Sequence, residues 1–474
     1  MELCLTCNRP AKLRVIGWFY NLLCAAVQNL RMWFAAKQNG ICIRETLYSA
    51  IRSVSAVSWL FARSPGRDFT RNVKLPFAKL ITLILSLKGS SITCELMEHF
   101  GCTKTLVSEP AFVKRRGRLL PEALETIFRL FVENTRPSNR YKGFRLLAVD
   151  GSDLHTPTNP DDTASFIPGS GGQKPYNLKH LNALYDLCSH IYTDAIVQGR
   201  HQYDERRALC DMVDRANTAY PAIIIADRGY ESYNVFAHIQ EKGWKFLIRV
   251  KDRSSNGIVN GLELPAQDEF DVPIRLALSR KQTNKFKGLL GSKNEFKQLR
   301  NYTFDYLPMK NKKGLDIPPY IISFRVVRFK LSDSSFETVL TNLDFPPDEL
   351  KQLYAMRWGI ETSFRELKYT IGLSHFHAKR PDFILQEIFA RLTMYNFSEL
   401  ISMSVVIERS GNKYAYRANF SAAAHICRNF FLGRVAPTDL EALIPRFVSP
   451  IRPGRASPRH PTVKYPVSFL YRLL

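Results

Sequence analysis

The chain has 474 residues, 45% of them apolar, which is enough to bury a large core in about two to four structural units and excludes a disordered tail. Lysine and arginine total 67 against 43 aspartate and glutamate, a formal charge of +24, so the expected partner is a polyanion, with nucleic acid ahead of an anionic membrane surface. The nine cysteines are odd in number and scattered, which argues against a disulfide framework and fits reduced thiols in a cytosol.

Residues 1–67 read as a basic N-terminal extension with no firm periodicity and no assigned role. Within it, Cys4 and Cys7 form a single C-x-x-C with no second pair to complete a zinc site. The apolar run 15–27 follows Lys12 and Arg14 but is too short to span a bilayer and lacks a small-x-small cleavage pattern. No other run reaches the roughly 18 apolar residues of a membrane helix, so the expectation is a soluble, cytoplasmic protein with no membrane partner.

From 68 to 140, apolar residues recur at helical spacing in LPFAKLITLILSLKG, ITCELMEHFG and LPEALETIFRLFVENT, with the basic run KRRGR at 114–118. This predicts a small helical, basic module. Over 141–250 the pattern changes to short apolar runs closed by polar turns (FRLLAVDGSD, AIIIADRGYES, KFLIRVKD) around one helical segment, DERRALCDMVDRA, which predicts a mixed α/β sheet. Residues 251–345 carry strand-like pieces FDVPIRLAL, YIISFRVVRF and FETVLTNL and read as a β-rich insertion in that α/β domain. Pro346 and Pro347 then open a helix, and 346–434 reads as the second part of the core. The last segment, 435–474, is a basic tail rich in proline and arginine.

The stretch LYAMRWGIETSFRELK predicts one helix in which Arg357, Glu361 and Lys368 lie at about −60°, −20° and −40° from Tyr354, a single polar stripe. Leu353, Met356, Ile360, Phe364 and Leu367 form the apolar face beside it. Taken alone, such a stripe reads more readily as solvated charge than as a site.

Two further carboxylates change that balance. Asp150 ends the run RLLAV and Asp227 ends the unbroken run AIIIA, and open α/β sheets place their sites at the C-terminal ends of buried strands. Ordinary Asp-Gly turn chemistry is an equal reading of Asp150, and Asp153 is a second candidate in the same turn. An unpaired Asp227 on a buried strand would be destabilising; Arg228 or a metal ion would each serve as its partner. Three carboxylates with oxygen-only ligands suit Mg²⁺ or Mn²⁺, and two such ions would activate water at a phosphodiester.

The DGS at Asp150, the DRGY at Asp227 and the spacing Tyr354, Arg357, Glu361, Lys368 together resemble the Asp-Asp-Glu insertion-sequence transposases of the IS-four type. The resemblance covers roughly 68–471, leaving room between Asp227 and Glu361 for the insertion this family carries. It implies a ribonuclease H-like catalytic core with a β-rich insertion and an N-terminal helical DNA-binding module. It further implies that Asp150, Asp227 and Glu361 are the catalytic, metal-binding triad for Mg²⁺ or Mn²⁺, two ions being expected. Tyr354, Arg357 and Lys368 would contact the DNA end, and Arg228 is a further candidate DNA contact. KRRGR would meet phosphates of the terminal inverted repeats.

Trp358 reads equally as a base-stacking residue or a half-buried anchor, and stays outside the catalytic set. His375 and His377 read as loop or DNA contacts, with no metal role. The expected partners are double-stranded DNA, at the element ends and the target, and a second copy of the chain in a synaptic complex. The rival readings are an inactive DNA-binding inhibitor or relic, and a metal-dependent nuclease without strand transfer.

Overall fold

The computed structural model describes residues 40–71, 73–104, 106–135, 139–170, 174–217, 220–253, 255–280, 293–300, 302–308, 317–332, 335–405 and 416–450. The C-x-x-C at Cys4 and Cys7, the apolar run 15–27 and the tail from 451 lie outside the described residues. Contacts divide the chain into two compact units. One draws its described residues from 1–136, 155–178 and 365–474, the other from 137–154 and 179–364.

The first unit begins with α1, Gly40–Ala56, which buries Ile43, Leu47, Ala50, Ile51 and Val54 on one stripe. The sequence showed no firm repeat here because apolar residues also fall off that stripe, as at Ile41, which is 43% exposed. Helices α2 (Phe77–Ser86), α3 (Ile92–Phe100), α4 (Glu109–Arg116) and α5 (Glu122–Thr135) follow. Ser91 caps α3 by accepting from the Cys94 amide, and Gly101 ends it in a left-handed conformation.

The second unit is built on a sheet. Its strands are β1 (Arg145–Thr156), which runs on into the first unit, and, after the short first-unit strand β2 (Phe166–Ile167), β3 (Tyr176–Asp186), β4 (Ile191–Gly199), β5 (Ala222–Ala226) and β6 (Lys245–Arg249). Then come β7 (Phe270–Ser279), β8 (Phe296–Gln298), β9 (Tyr320–Ser332) and β10 (Ser335–Thr341). The strand order is β4-β3-β1-β5-β6-β10-β9-β7-β8. β1, β5 and β6 run parallel, while β4 is antiparallel to β3 and β10 to β6. The 251–345 segment is therefore no separate sheet. It extends the central one, because β10 pairs with the outer edge of β6.

Helices α6 (Glu205–Arg215) and α7 (Tyr233–Glu241) follow β4 and β5 and bury Leu209, Val213, Val235 and Phe236 in the core with Ile224 and Phe246. Every residue of β5 is buried, as its unbroken apolar run requires of a strand covered on both faces.

Two helices close the second unit, α8 (Pro347–Met356) and α9 (Trp358–Tyr369), with α9 running past Phe364 into the first unit. The stretch expected to be one helix breaks at Arg357. There the amides of Arg357 and Ile360 bond three residues back, to Tyr354 and Arg357, in a tighter turn. An even 100° step from Tyr354 to Lys368 therefore does not apply across the break. Contacts also group the chain beyond Phe364 with the helical unit, so the 346–434 segment is shared between the two.

The first unit resumes with α10 (Pro381–Ser404), α11 (Phe420–Phe431) and α12 (Pro437–Leu443). Helix α10 is buried nearly all round, with Glu387, Arg391 and Asn396 among its buried residues. Within KRRGR, Arg116 is 1% exposed and donates to Gln386, Glu387 and the Phe383 carbonyl, so it holds this unit together and cannot reach a phosphate. His377 is likewise no surface contact. Its Nδ1 lies 3.0 Å from Glu387 and its Nε2 3.1 Å from the Ser90 carbonyl.

Candidate active site

Parallel pairing brings the two aspartates level. Ala148 of β1 is registered against Ile225 of β5, so Asp150 and Asp227, two residues further along each, come side by side at the same end of adjacent strands. Strand β1 continues through Asp150 and Gly151 to Thr156, so DGS is not the turn that its composition suggested. Asp227 does end its strand. It caps the short turn Arg228–Tyr230, with Oδ1 accepting from the Gly229 amide at 2.8 Å.

Glu361 stands in the first turn of α9. Arg357, at the break before it, donates from one terminal nitrogen to Glu361 Oε1 at 2.8 Å, and its other terminal nitrogen lies 3.9 Å from Asp150 Oδ2. Ser363 fixes the same helix to β4 through its hydroxyl, 2.8 Å from that of Tyr192.

Burial pushes the Asp150 carboxyl up to about 6. The Gly151 amide and Arg357 oppose that shift, and the charges of Asp227 and Glu361 add to it. Three carboxylates thus repel one another around one buried guanidinium. Arg357 is 6% exposed, and its Nε has no hydrogen-bond partner; nor has the hydroxyl of Tyr354, also 6% exposed. Both residues were expected to face DNA. In the structure Arg357 is committed to the carboxylates, with its guanidinium 5.8 Å from the Tyr354 ring centre and 5.5 Å from that of Trp358.

The remaining expected residues are more dispersed. Trp358 is 51% exposed, more than a half-buried anchor. Lys368 occupies the last turn of α9, in the part grouped with the first unit. Arg228 is exposed and lines a cleft of about 470 Å³ with Arg206, Lys251, Lys297 and Tyr302. Asp153 pairs with His180 at 2.7 Å. Sequence spacing did not single out His180, Glu205 or Tyr230, although all three stand near the aspartates; no local pattern links strand β3, helix α6 and the DRGY turn.

The donor set suits a hard divalent cation: oxygen ligands only, mutually repelling, and beside a buried Tyr230 hydroxyl that has no partner. Among the described residues, no three His, Cys, Asp or Glu side chains stand close enough together to hold an ion, and Arg357 supplies the positive charge between Asp150 and Glu361. Among the described residues, too, no helix is long and apolar enough to cross a membrane.

Residues 141–397 match the family model described as Transposase DDE domain. The transposase InsG for insertion sequence element IS4 of Escherichia coli (strain K12) is 24% identical over 306 residues, which are 62% of this chain and 61% of that protein. Among solved structures, the cryo-EM structure of the piggyBac transposase synaptic complex with hairpin DNA aligns over 90% of this chain and 88% of its own, at 11% identity and a TM-score of 0.41. With the family model matched across more than half of its length, the chain belongs to the DDE transposases.

Proposed function

We propose that the chain is a metal-dependent DNA transposase that nicks the ends of its element by water attack and then uses the freed 3′-hydroxyl as nucleophile for strand transfer into target DNA. The observation that carries this reading is the grouping of Asp150 with Asp227 and Glu361, with Arg357 bonded to Glu361 and 3.9 Å from Asp150, where β5 ends and its parallel pairing with β1 stops. The order β4-β3-β1-β5-β6, with β1, β5 and β6 parallel, is in keeping with a ribonuclease H-like core.

Asp150, Asp227 and Glu361 would hold one or two Mg²⁺ or Mn²⁺ ions. When bound, these supply activation of the attacking water and charge stabilisation of the attacking and leaving oxygens. Asp150, protonated up to about pH 6 without metal, would be held as the carboxylate by a bound cation. Arg357 would hold Glu361 and Asp150 in place, and Lys368, in the last turn of the helix that carries Glu361, would contact a phosphate of the DNA end. Arg228, with Arg206, Lys251 and Lys297, offers a basic cleft to the DNA backbone beside Asp227. Exposed cations of α4, such as Lys114, would meet the terminal repeats, and a homodimer would bring the two ends together.

The test incubates the purified protein and Mg²⁺ or Mn²⁺ with a duplex carrying the DNA that flanks its gene, and maps nicks and joined strands. Glu361→Gln is expected to lower cleavage by more than about 100-fold, above the loss typical of an outer-shell partner, with end binding retained. Wild-type cleavage in that variant removes Glu361 from the centre, and nicks without joined strands favour a nuclease.

A further inference from the structure

Glu205, in the first turn of α6, enters between the two segments that carry the aspartates. Its Oε1 lies 3.0 Å from His180 Nε2, and the opposite nitrogen of that ring is 2.7 Å from Asp153 Oδ1. A Cβ on Gly151 would sit 2.6 Å from Glu205 Oε1 and 2.3 Å from His180 Nε2. On Gly229 it would sit 3.3 Å from Glu205 Oε2 and 3.1 Å from Asp227 Oδ1. Neither glycine has a positive φ, so what these two positions exclude is volume. The carboxylate therefore spans from the backbone beside Asp150 to the backbone two residues beyond Asp227.

Two contacts hold it there. Arg206 Nε donates to the Gly229 carbonyl at 2.8 Å, fastening the start of α6 to the DRGY turn. Asp204 caps the helix by accepting from the Arg207 amide at 3.0 Å. Tyr230, 1% exposed and with no partner for its hydroxyl, lies within electrostatic reach of Glu205, Asp150 and Asp227. His180 is shared between Asp153 and Glu205, so it answers the Glu205 charge only in part, and a cation among the carboxylates would answer the rest. One oxygen of Glu205 is within ion-pair distance of His180; the other faces Gly229, on the side of Asp227.

We propose that Glu205 is a fourth carboxylate of the cation site that Asp150, Asp227 and Glu361 would form, with His180 as the residue that positions it. The inference rests on the metal-dependent reading above. It assigns the glycines of DGS and DRGY one shared role, leaving room for a side chain that neither motif contains.

Full-length protein titrated with Mn²⁺, with free ion read by electron paramagnetic resonance, tests it; the same samples are melted without metal. Glu205→Gln, which keeps the shape and an oxygen acceptor but removes the charge, is expected to weaken Mn²⁺ binding by about 10- to 100-fold with little change in metal-free melting. His180→Gln, with Glu205 intact, is expected to weaken it by about 10-fold, and is the variant to read should Glu205→Gln not fold. Wild-type Mn²⁺ affinity in Glu205→Gln alongside loss in Glu361→Gln overturns the inference and leaves the metal-dependent reading standing. A lowered melting temperature with unchanged Mn²⁺ affinity overturns it as well, by assigning Glu205 to structure alone. No Mn²⁺ binding by the wild type overturns both.

Discussion

A fully buried guanidinium is tolerated only when its donors are met, and Arg116 shows how a charge counted as surface becomes core. Its three bonds, to Gln386 at 2.8 Å, Glu387 at 3.0 Å and the Phe383 carbonyl at 2.6 Å, join α4 to α10 within the helical unit. Burial pushes the Glu387 carboxyl up, but the charges of His377 and Arg116 outweigh that and hold it well below the usual carboxylate range. Replacing Arg116 by Met removes one of the two cationic partners bonded to that buried carboxylate and leaves His377. The expected loss is about 3–5 kcal/mol of unfolding free energy, measured by urea denaturation. A loss below about 1 kcal/mol would place Arg116 among ordinary surface pairs.

Elements show what could be read in advance and what could not. The unbroken AIIIA, the FETVLTNL strand and the helical segment at DERRALC fall where their patterns put them, because burial on one or both faces dictates composition directly. Asp227 stands at the strand end that its run AIIIA marks, whereas Asp150 lies inside β1, and Glu361 stands in the first turn of a helix that the sequence read as continuous from before Tyr354. The break at Arg357 was not legible, because α8 and α9 are both helical and Gly359, the lone glycine beside the junction, is tolerated within a helix as well as at its boundary. Nor was the strand passing through DGS. Gly151 reads as a turn residue, and only the approach of His180 and Glu205 from elsewhere in the chain explains it. The start of α6 depends on its cap, so Asp204→Ala is expected to lose about 1 kcal/mol of stability, seen in thermal melting. Because Glu205 follows directly, the same variant should also weaken Mn²⁺ binding; unchanged melting would show that the Arg207 amide finds another acceptor.

At the scale of the molecule, a formal charge of +24 makes attraction to DNA almost unavoidable, so binding alone says little about which cations touch it. Salt dependence separates the two effects. A cation in contact with a phosphate releases a counterion and contributes about 0.9 to the slope of log affinity against log salt, whereas a distant one adds only to the general field, which is screened beyond about 10 Å at 0.1 M. Lys368 is the residue to test, since it lies at the far end of the helix that carries Glu361. If it meets a phosphate of the DNA end, Lys368→Ala should reduce the slope by about 1 between 50 and 200 mM salt, read by fluorescence anisotropy on the flanking duplex. Lys368→Arg should restore it, because guanidinium and ammonium displace the same counterion. A weaker affinity with the slope unchanged would mean that Lys368 acts only through the net charge, and the contact would have to be sought among Arg228, Arg206, Lys251 and Lys297 in the cleft beside Asp227.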